Sequence, residues 1–452
     1  MKRKAIVTAL VLACASLVVT SASATDGYFS HGYGMKAKGM AGAGTAMTAD
    51  AFGGANNPAQ MVFVGDRIDF GVDLFSPQRS ASRSGSTTPP LALDGSADSD
   101  STLFYIPEFG FNKLINPKLS LGVTVYGNGG MNTDYPGDQI PSASACANFN
   151  PNPGPYNLLC GNGRLGVDLS QLVIAPTVAY KLTDNHAIGI APLFGYQRFK
   201  ADGLQAFDNP NFSDSAGNVT NKGYDAASGW GARIGWLGKI TDTLTLGAAY
   251  STKISMSKFD MYKGLFADGG AFDMPETYNV GLAFKVSPAV TIAADYQRIN
   301  YSGVKSVGNP SSLLLNCFIP GVGPGDKSAC LGGSNGAGFG WQDVDVWKLG
   351  IEYHHNDQLT LRGGYNHSDN PIKSKDVTIN ILAPGVVQDH LTLGLTYAFQ
   401  GAGELTVAYM HAFQNSVTGS SLFSNYTAPA SSGNETIKMY ENSLGIAYGW
   451  KM

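Results

Sequence analysis

Two glycine-rich motifs in the chain have the spacing of nucleotide-binding or catalytic sites. Gly161 to Gly166 fits the pattern GxGxxG, and Gly332 to Gly336 fits GxSxG around Ser334. A dinucleotide site needs a strand before its motif and a helix after it, and a nucleophile elbow also leads into a helix. Both motifs here lie in glycine-rich loops, and adjacent His354 and His355 would face opposite sides of a strand. We therefore predict no enzymatic activity, no cofactor and no metal site.

The chain begins with the parts of a secretory signal peptide. Lys2 to Lys4 are basic, Ala5 to Val19 form an apolar run, and Ala22-Ser23-Ala24 has the small residues of a cleavage site. We expect residues 1–24 to be removed during export. The remaining sequence contains no run of about 18 apolar residues, so we expect no membrane-spanning helix.

The composition favours a β-barrel in the outer membrane of a Gram-negative bacterium. Charged residues make up 14% of the chain and aromatic residues 11%, whereas ordinary soluble domains have about 25% charged residues. The formal net charge of −4 gives no reason to expect a nucleic-acid partner. Four cysteines follow the signal peptide and would enter an oxidising compartment, where three pairings are possible. Close spacing favours Cys146 with Cys160 and Cys317 with Cys330.

Alternation of apolar and polar residues is the strongest structural signal, and it continues to the end of the chain. In the last segment one face carries Tyr440, Leu444, Ile446, Tyr448, Trp450 and Met452. The other face carries Glu441, Ser443, Gly445, Ala447, Gly449 and Lys451. An apolar face that begins and ends with aromatic residues is typical of a strand crossing both interfaces of a membrane.

Short turns alternate with long loops, an asymmetry that is characteristic of outer-membrane barrels. The predicted turns are 116–117, 183–185, 241–243, 287–289, 356–357 and 401–403. The predicted loops are 77–100, 128–164, 201–227, 257–275, 302–342, 367–386 and 415–434. Six turns and seven loops separate fourteen strands. The sequence therefore predicts an all-β fold over residues 66–452, a 14-stranded antiparallel transmembrane β-barrel.

Residues 25–65, which we call the hatch, do not alternate and are rich in glycine and alanine. They could form a disordered arm or a small N-terminal plug inside the barrel lumen. The plug is favoured because a free arm this apolar would be prone to association. Small side chains would allow close packing, and apolar contacts would come from Tyr28, Phe29, Tyr33, Met35, Met40 and Met47.

The order of these parts resembles the FadL family of transporters for long-chain fatty acids and aromatic hydrocarbons. The similarity lies in the sequence from Gly39 to Ala46, in Asp50, and above all in Asn56 followed by Asn57-Pro58-Ala59. The resemblance implies a fourteen-stranded barrel closed by a hatch. It also implies capture of an apolar ligand at external loops, passage to a pocket against the hatch, and sideways exit near a kinked third strand.

The third predicted strand ends in Gly127-Asn128-Gly129-Gly130. Three glycines in four residues fit a bulge or kink in the wall, and they fit the start of a loop equally well. Chains of this family usually end in Phe, whereas this one ends Trp450-Lys451-Met452. The barrel-assembly machinery and outer-membrane lipid are expected partners. Recognition by this machinery is less secure because of the different C-terminal residue.

A fatty-acid site needs an apolar pocket and one cation. The candidate cations are Lys36, Lys38, Arg233, Lys348 and Arg362. Each could instead pair with a lumenal carboxylate such as Asp295, Glu352 or Glu441. Likewise, the hatch residues Tyr28, Phe29, Met35 and Met40 could line the pocket or merely anchor the hatch.

The function expected from these features is uptake of hydrophobic small molecules, most readily long-chain fatty acids. The alternatives are a channel for aromatic hydrocarbons, a general aqueous porin, and an outer-membrane hydrolase that uses Ser334.

Overall fold

The computed structural model describes residues 25–87, 92–401 and 403–452, so the predicted signal peptide lies outside the described residues. Within them, fourteen antiparallel strands form a ring, and pairing of the last strand with the first closes it. The strands are β1 (Arg67–Ser86), β2 (Phe104–Asn116), β3 (Leu119–Asn132), β4 (Gly166–Lys181), β5 (His186–Asp202), β6 (Asp225–Lys239), β7 (Leu244–Ser251), β8 (Thr277–Ser287), β9 (Val290–Ile299), β10 (Val344–His354), β11 (Leu359–Ser368), β12 (Asp389–Phe399), β13 (Gly403–Ser420) and β14 (Ser432–Lys451). The predicted barrel is confirmed.

Alternating burial along the strands assigns one face to lipid and the other to the interior. In β14, Leu444 and Ile446 are exposed on the outside, whereas Glu441 and Ser443 are buried inside. The same pattern along β8 and β10 exposes aromatic and aliphatic side chains on the outer surface. The apolar face found in the sequence is therefore the face toward the membrane.

The six short turns connect strands where the sequence predicts them, so the start of β1, where the hatch ends, and the C-terminal end of β14 lie at the same end of the barrel. Several strands are longer than expected, including β3, which continues to Asn132 within the predicted loop 128–164. The predicted loops 77–100 and 415–434 are wrong in part, because β1 continues to Ser86, β13 continues to Ser420, and β14 already begins at Ser432. The β1–β14 ladder runs from Arg67–Lys451 to Ser86–Ser432. Beyond the membrane the outer face meets water, so backbone pairing continues without an apolar pattern.

The long loops fold over the end of the barrel opposite the turns and share an apolar core. Disulfides join Cys146 to Cys160 and Cys317 to Cys330, each within a single loop, which is the pairing that close spacing favours. Gly161 to Gly166 ends one of these loops and leads into β4, while Ser334 lies in the loop between β9 and β10. Among the described residues, no helix is both long and apolar enough to cross a membrane.

Candidate functional site: the hatch and the wall around it

The hatch lies inside the barrel, and most of its residues are buried. It is folded as short helical turns joined by glycine-rich segments. The turns are Met35–Lys38, Gly53–Asn56, Pro58–Gln60 and Met61–Val64. Segments this short cannot be stable helices by themselves. Contacts with the barrel wall must therefore hold the hatch in shape.

Asn57 is the most connected residue of the Asn57-Pro58-Ala59 step. Its side-chain oxygen accepts from the Ala59 amide at 3.1 Å, capping the turn that starts with Pro58. Its side-chain nitrogen donates to the carbonyls of Thr45 and Trp236, each at 2.9 Å. One fully buried amide thus joins two parts of the hatch to β6.

Replacing Asn57 with alanine is expected to loosen this junction, because the cap and both donated bonds disappear. Loss of about 1–2 kcal/mol locally corresponds to roughly 10-fold faster hydrogen exchange at the Ala59 amide. Asn57→Asp keeps the capping oxygen, so Ala59 exchange is expected to stay near the wild-type rate while the contacts with Thr45 and Trp236 weaken. Equal exchange of Ala59 in Asn57→Ala and wild-type protein would contradict the role of the cap.

Inward-facing glycines of the wall allow the hatch to pack directly on the strands. A Cβ atom at Gly445 would lie 2.0 Å from the sulfur of Met35, and one at Gly350 would lie 2.7 Å from the Cβ of Met40. The two predicted methionines therefore pack the hatch against different strands of the wall, β14 and β10. Other inward glycines in contact with the hatch are Gly110, Gly189, Gly235, Gly247, Gly364 and Gly394.

Two of the predicted cations pair with carboxylates near the turn end of the barrel. Lys36 forms an ion pair with Glu404 and donates to the carbonyl of Ala49 at 3.1 Å. The guanidinium of Arg362 donates to Glu352 at 2.8 Å, one of the pairings weighed above. Both side chains are buried, and their charges are balanced within the protein.

Lys348 and Arg233, two more of the five predicted cations, hold backbone carbonyls of the hatch. Lys348 donates to the carbonyl of His31 at 2.7 Å and to the side chain of Gln297 at 2.8 Å. Arg233 donates to the carbonyls of Gly54, at 3.2 Å, and Ala55. In this arrangement Lys348 and Arg233 fix the hatch, so carboxylate binding by these two residues stays a prediction.

Carboxylates of the barrel wall also attach the hatch to the strands. Asp295 accepts from the backbone amides of Gly44 and Thr45, both at 2.8 Å. Lys38 forms an ion pair with Asp73 at 2.6 Å, and both side chains are buried. Charge-assisted hydrogen bonds of this kind are stronger than neutral ones. The glycine-rich segment 39–46 is therefore fixed by polar bonds as well as by close packing.

Burial also changes the acid–base properties of two hatch residues. It raises the pKa of Asp50 to about 6, and the neighbouring Asp69 adds to this rise. Burial lowers the pKa of His31 well below its ordinary value, with Lys38 contributing in the same direction. The hatch therefore holds a neutral imidazole at neutral pH and one carboxyl group that titrates near pH 6.

The tip of the hatch, residues 25–30, enters an aromatic cluster under the loops. The ring of Tyr28 has its centroid 5.1 Å from that of Tyr301, 5.7 Å from Trp341 and 6.2 Å from Phe272. The Phe29 ring lies 6.0 Å from Tyr301. Tyr28 and Phe29 thus belong to the large apolar core under the loops, whereas Met35 and Met40 lie in small apolar clusters on the wall.

The third strand is irregular where the sequence has Gly127-Asn128-Gly129-Gly130. Pairing of β3 with β4 shifts register between Gly127 and Gly129, and the described β2–β3 pairs reach no further than Phe109–Val125. The hatch tip occupies the edge that is left. Gly130 donates its amide to the Tyr28 carbonyl at 3.1 Å, and the Asn128 carbonyl accepts from the Ser30 amide at 3.2 Å. The described β2–β3 ladder therefore ends before β3 does, at a place that we call the gap between β2 and β3, and the hatch tip bonds to the edge of β3 there.

Comparison with known proteins gives a family match for this chain. Residues 161–437 match the family model described as "Outer membrane protein transport protein (OMPP1/FadL/TodX)". The chain belongs to the OMPP1/FadL/TodX family. It is accordingly an outer-membrane protein.

Similarity extends well beyond the matched segment. The long-chain fatty acid transport proteins of Salmonella typhi and of Escherichia coli K12 are 22% and 21% identical to this chain. Each alignment covers 91% of the chain and 93% of the relative.

Solved structures agree with this assignment at the level of the fold. The Pseudomonas putida toluene transporter TodX superposes with a TM-score of 0.66 at 17% identity, over 93% of this chain and 99% of TodX. The Ralstonia pickettii toluene transporter TbuX gives a TM-score of 0.59 at 17% identity, with the same coverage.

Several residues around the hatch of this OMPP1/FadL/TodX member were missed by reasoning from sequence. Tyr301 and Trp341 lie in glycine-rich loops that carry no periodic pattern. Arg79 lies within predicted loop 77–100, but the structure places it in β1 with its side chain buried. Aromatic residues inside otherwise polar loops were the available signal for the first two. Arg79 had no such signal, because residues 76–86 carry no alternation of apolar and polar side chains.

Proposed function

We propose that this chain takes up hydrophobic small molecules across the outer membrane. The observation that carries the proposal is the gap between β2 and β3, which is covered by the hatch tip next to the Tyr28 aromatic cluster. An apolar ligand entering between the loops would meet this cluster first. Displacement of the hatch tip would then open a sideways path into the membrane, without passage through the polar lumen.

The names of the relatives support two ligand classes, long-chain fatty acids and toluene. The largely buried hatch argues against the general aqueous porin, because its polar bonds and close packing occupy the lumen. Lipid around the aromatic outer face and the barrel-assembly machinery are further proposed partners. The family is one of transport proteins, and hydrolysis at Ser334 is not part of the proposal.

The test is uptake of radiolabelled oleate and radiolabelled toluene by cells that lack their own transporters of this type. Expression of the chain is expected to raise uptake of at least one of them above that of the empty vector. Deletion of residues 25–50 is expected to change that rate. Equal uptake with the full chain, the deleted chain and the empty vector would overturn the proposal. Large steady ion conductance of the purified chain in a planar bilayer would favour the porin instead.

A further inference from the structure

The C-terminal end of β14 extends past the strand on one side of it. Pairs between β13 and β14 end at Glu404–Gly449, whereas pairs between β1 and β14 continue to Arg67–Lys451. Among the described residues, the end of β14 therefore has a strand partner on the β1 side only. This end carries Trp450-Lys451-Met452, where the sequence departs from the Phe that is usual in the family. The mismatch leaves an indentation at the turn end of the barrel, which is the periplasmic end.

A cleft of about 580 Å³ occupies this indentation. One wall of the cleft is formed by Phe399, Tyr448 and Trp450, which belong to the lipid-facing side of their strands. Their rings continue as an aromatic row across the outer surface, with centroid distances of 5.8 Å for Tyr448–Trp450, 5.8 Å for Trp450–Phe70 and 4.9 Å for Phe70–Phe109. The cleft therefore adjoins the membrane, and its volume lies within the roughly 300–1,000 Å³ of ligand sites.

The other wall of the cleft carries charges. Lys451 is exposed and forms no ion pair with any described residue. Arg67 holds Asp69 and Glu404 through Nε and one terminal nitrogen, so its second terminal nitrogen has no partner in the described part of the chain. Glu404 accepts from Lys36 and Arg67 through the same oxygen, Oε1. Donors on two cations and one carboxylate oxygen are therefore available to a ligand.

This combination of groups matches the head of a phospholipid that contains an amine. Lysine and arginine both bind phosphate oxygens through charge-assisted hydrogen bonds. A primary ammonium group can donate to the available oxygen of Glu404. Aromatic side chains at a membrane interface suit the region where the head group meets the acyl chains. A simple anion would use only the cations, and a hydrocarbon would use only the rings.

We propose that this cleft binds one membrane phospholipid with a primary amine in its head, such as phosphatidylethanolamine. Its phosphate lies between Lys451 and Arg67, its ammonium group donates to Glu404, and its acyl chains follow the aromatic row. The inference goes beyond the proposed function, because this lipid is a resident partner and not the transported molecule. Binding fills the indentation left where β13 ends before β14.

The test is native mass spectrometry of the full chain in detergent, with lipids that share palmitoyl and oleoyl chains and differ in the head group. Phosphatidylethanolamine is expected to bind about 5-fold more tightly than phosphatidylcholine, whose trimethylated amine cannot donate to Glu404. Lys451→Met is expected to weaken phosphatidylethanolamine binding about 5-fold, whereas Lys451→Arg keeps it. Lys285→Met removes an exposed lysine at the turn end of β8, outside the cleft, and is the matched control.

Equal phosphatidylethanolamine binding in wild-type protein, Lys451→Met and Lys285→Met would overturn the site, because the lipid would then bind the aromatic surface in general. Tighter binding of phosphatidylglycerol than of phosphatidylethanolamine would also overturn it, since the amine would then contribute nothing. Displacement of the lipid by inorganic phosphate would overturn it as well, by showing a plain anion site. If Lys451→Met assembles poorly, Lys451→Gln, which is neutral but polar, is expected to lose the lipid to the same extent.

Discussion

Replacing Gly129 with valine is expected to free the hatch tip and leave the gap between β2 and β3 open. A Cβ atom at this position would lie 1.8 Å from the Tyr28 carbonyl oxygen, which belongs to backbone and cannot turn away. The clash and the loss of the two hydrogen bonds around it amount to about 3 kcal/mol. The population of released tip is therefore expected to rise roughly 100-fold. Limited proteolysis between Tyr28 and Tyr33 in detergent measures the release directly.

Uptake of the transported ligand by Gly129→Val cells is expected to rise with the cleavage rate. Gly363→Val is the matched control, because a Cβ at Gly363 would meet its nearest atom at an ordinary 3.7 Å. If cleavage and uptake in Gly129→Val equal those of Gly363→Val, the tip is not what covers the gap. Faster cleavage with unchanged uptake would mean that the tip covers the gap but does not limit transport.

Replacing Arg83 with methionine is expected to cause the largest loss of stability on the loop side of the barrel. Arg83 in β1 and Glu435 in β14 form an ion pair whose side chains are 1% and 0% exposed. Arg83 also donates to the carbonyls of Leu93, at 3.1 Å, and Leu158, at 2.8 Å. Removing one partner of such a pair leaves a buried unpaired charge, at a cost of about 3–5 kcal/mol. Hydrogen exchange in residues 133–165 and 421–431 measures this opening.

Arg164→Met tests whether burial of the ion pair causes the expected loss of stability. Arg164 pairs with Asp134 and Asp100, but its side chain is 47% exposed, so the expected loss is below about 1 kcal/mol. The double variant Arg83→Met with Glu435→Leu removes both charges and is expected to recover much of the loss. Similar exchange in Arg83→Met and Arg164→Met would show that the buried pair contributes no more than a surface pair.

The membrane explains which strands could be predicted. Where lipid covers the outer face, as along Leu444 and Ile446, apolar residues must alternate with inward ones, and the sequence records this. Above the membrane the constraint ends, and β1 beyond Phe75 is held by its ladder with β14 instead. Arg79 and Arg83 lie in that extension. Because the sequence predicts a loop there, neither residue could be recognised as a buried cation of a strand.

Individual contacts of the hatch were less predictable than its presence. Small residues and the Asn57-Pro58-Ala59 step indicated a packed segment, but no periodicity determines which wall residue each hatch residue meets. Lys348, for example, faces inward as its strand predicts, yet its bond to the His31 carbonyl depends on the folded path of the hatch. Partners of this kind come from tertiary structure alone.

The inward-facing glycines leave depressions in the inner surface of the barrel wall. The shape of this surface is complementary to the hatch. At several positions where the strands lack a side chain, the hatch packs into the depression, as Met35 does at Gly445. The glycines that interrupt the apolar–polar alternation of the strands thus mark positions where the hatch packs against the wall. Exchanging hatches between members of such a family would consequently require moving the glycine positions of the recipient barrel as well.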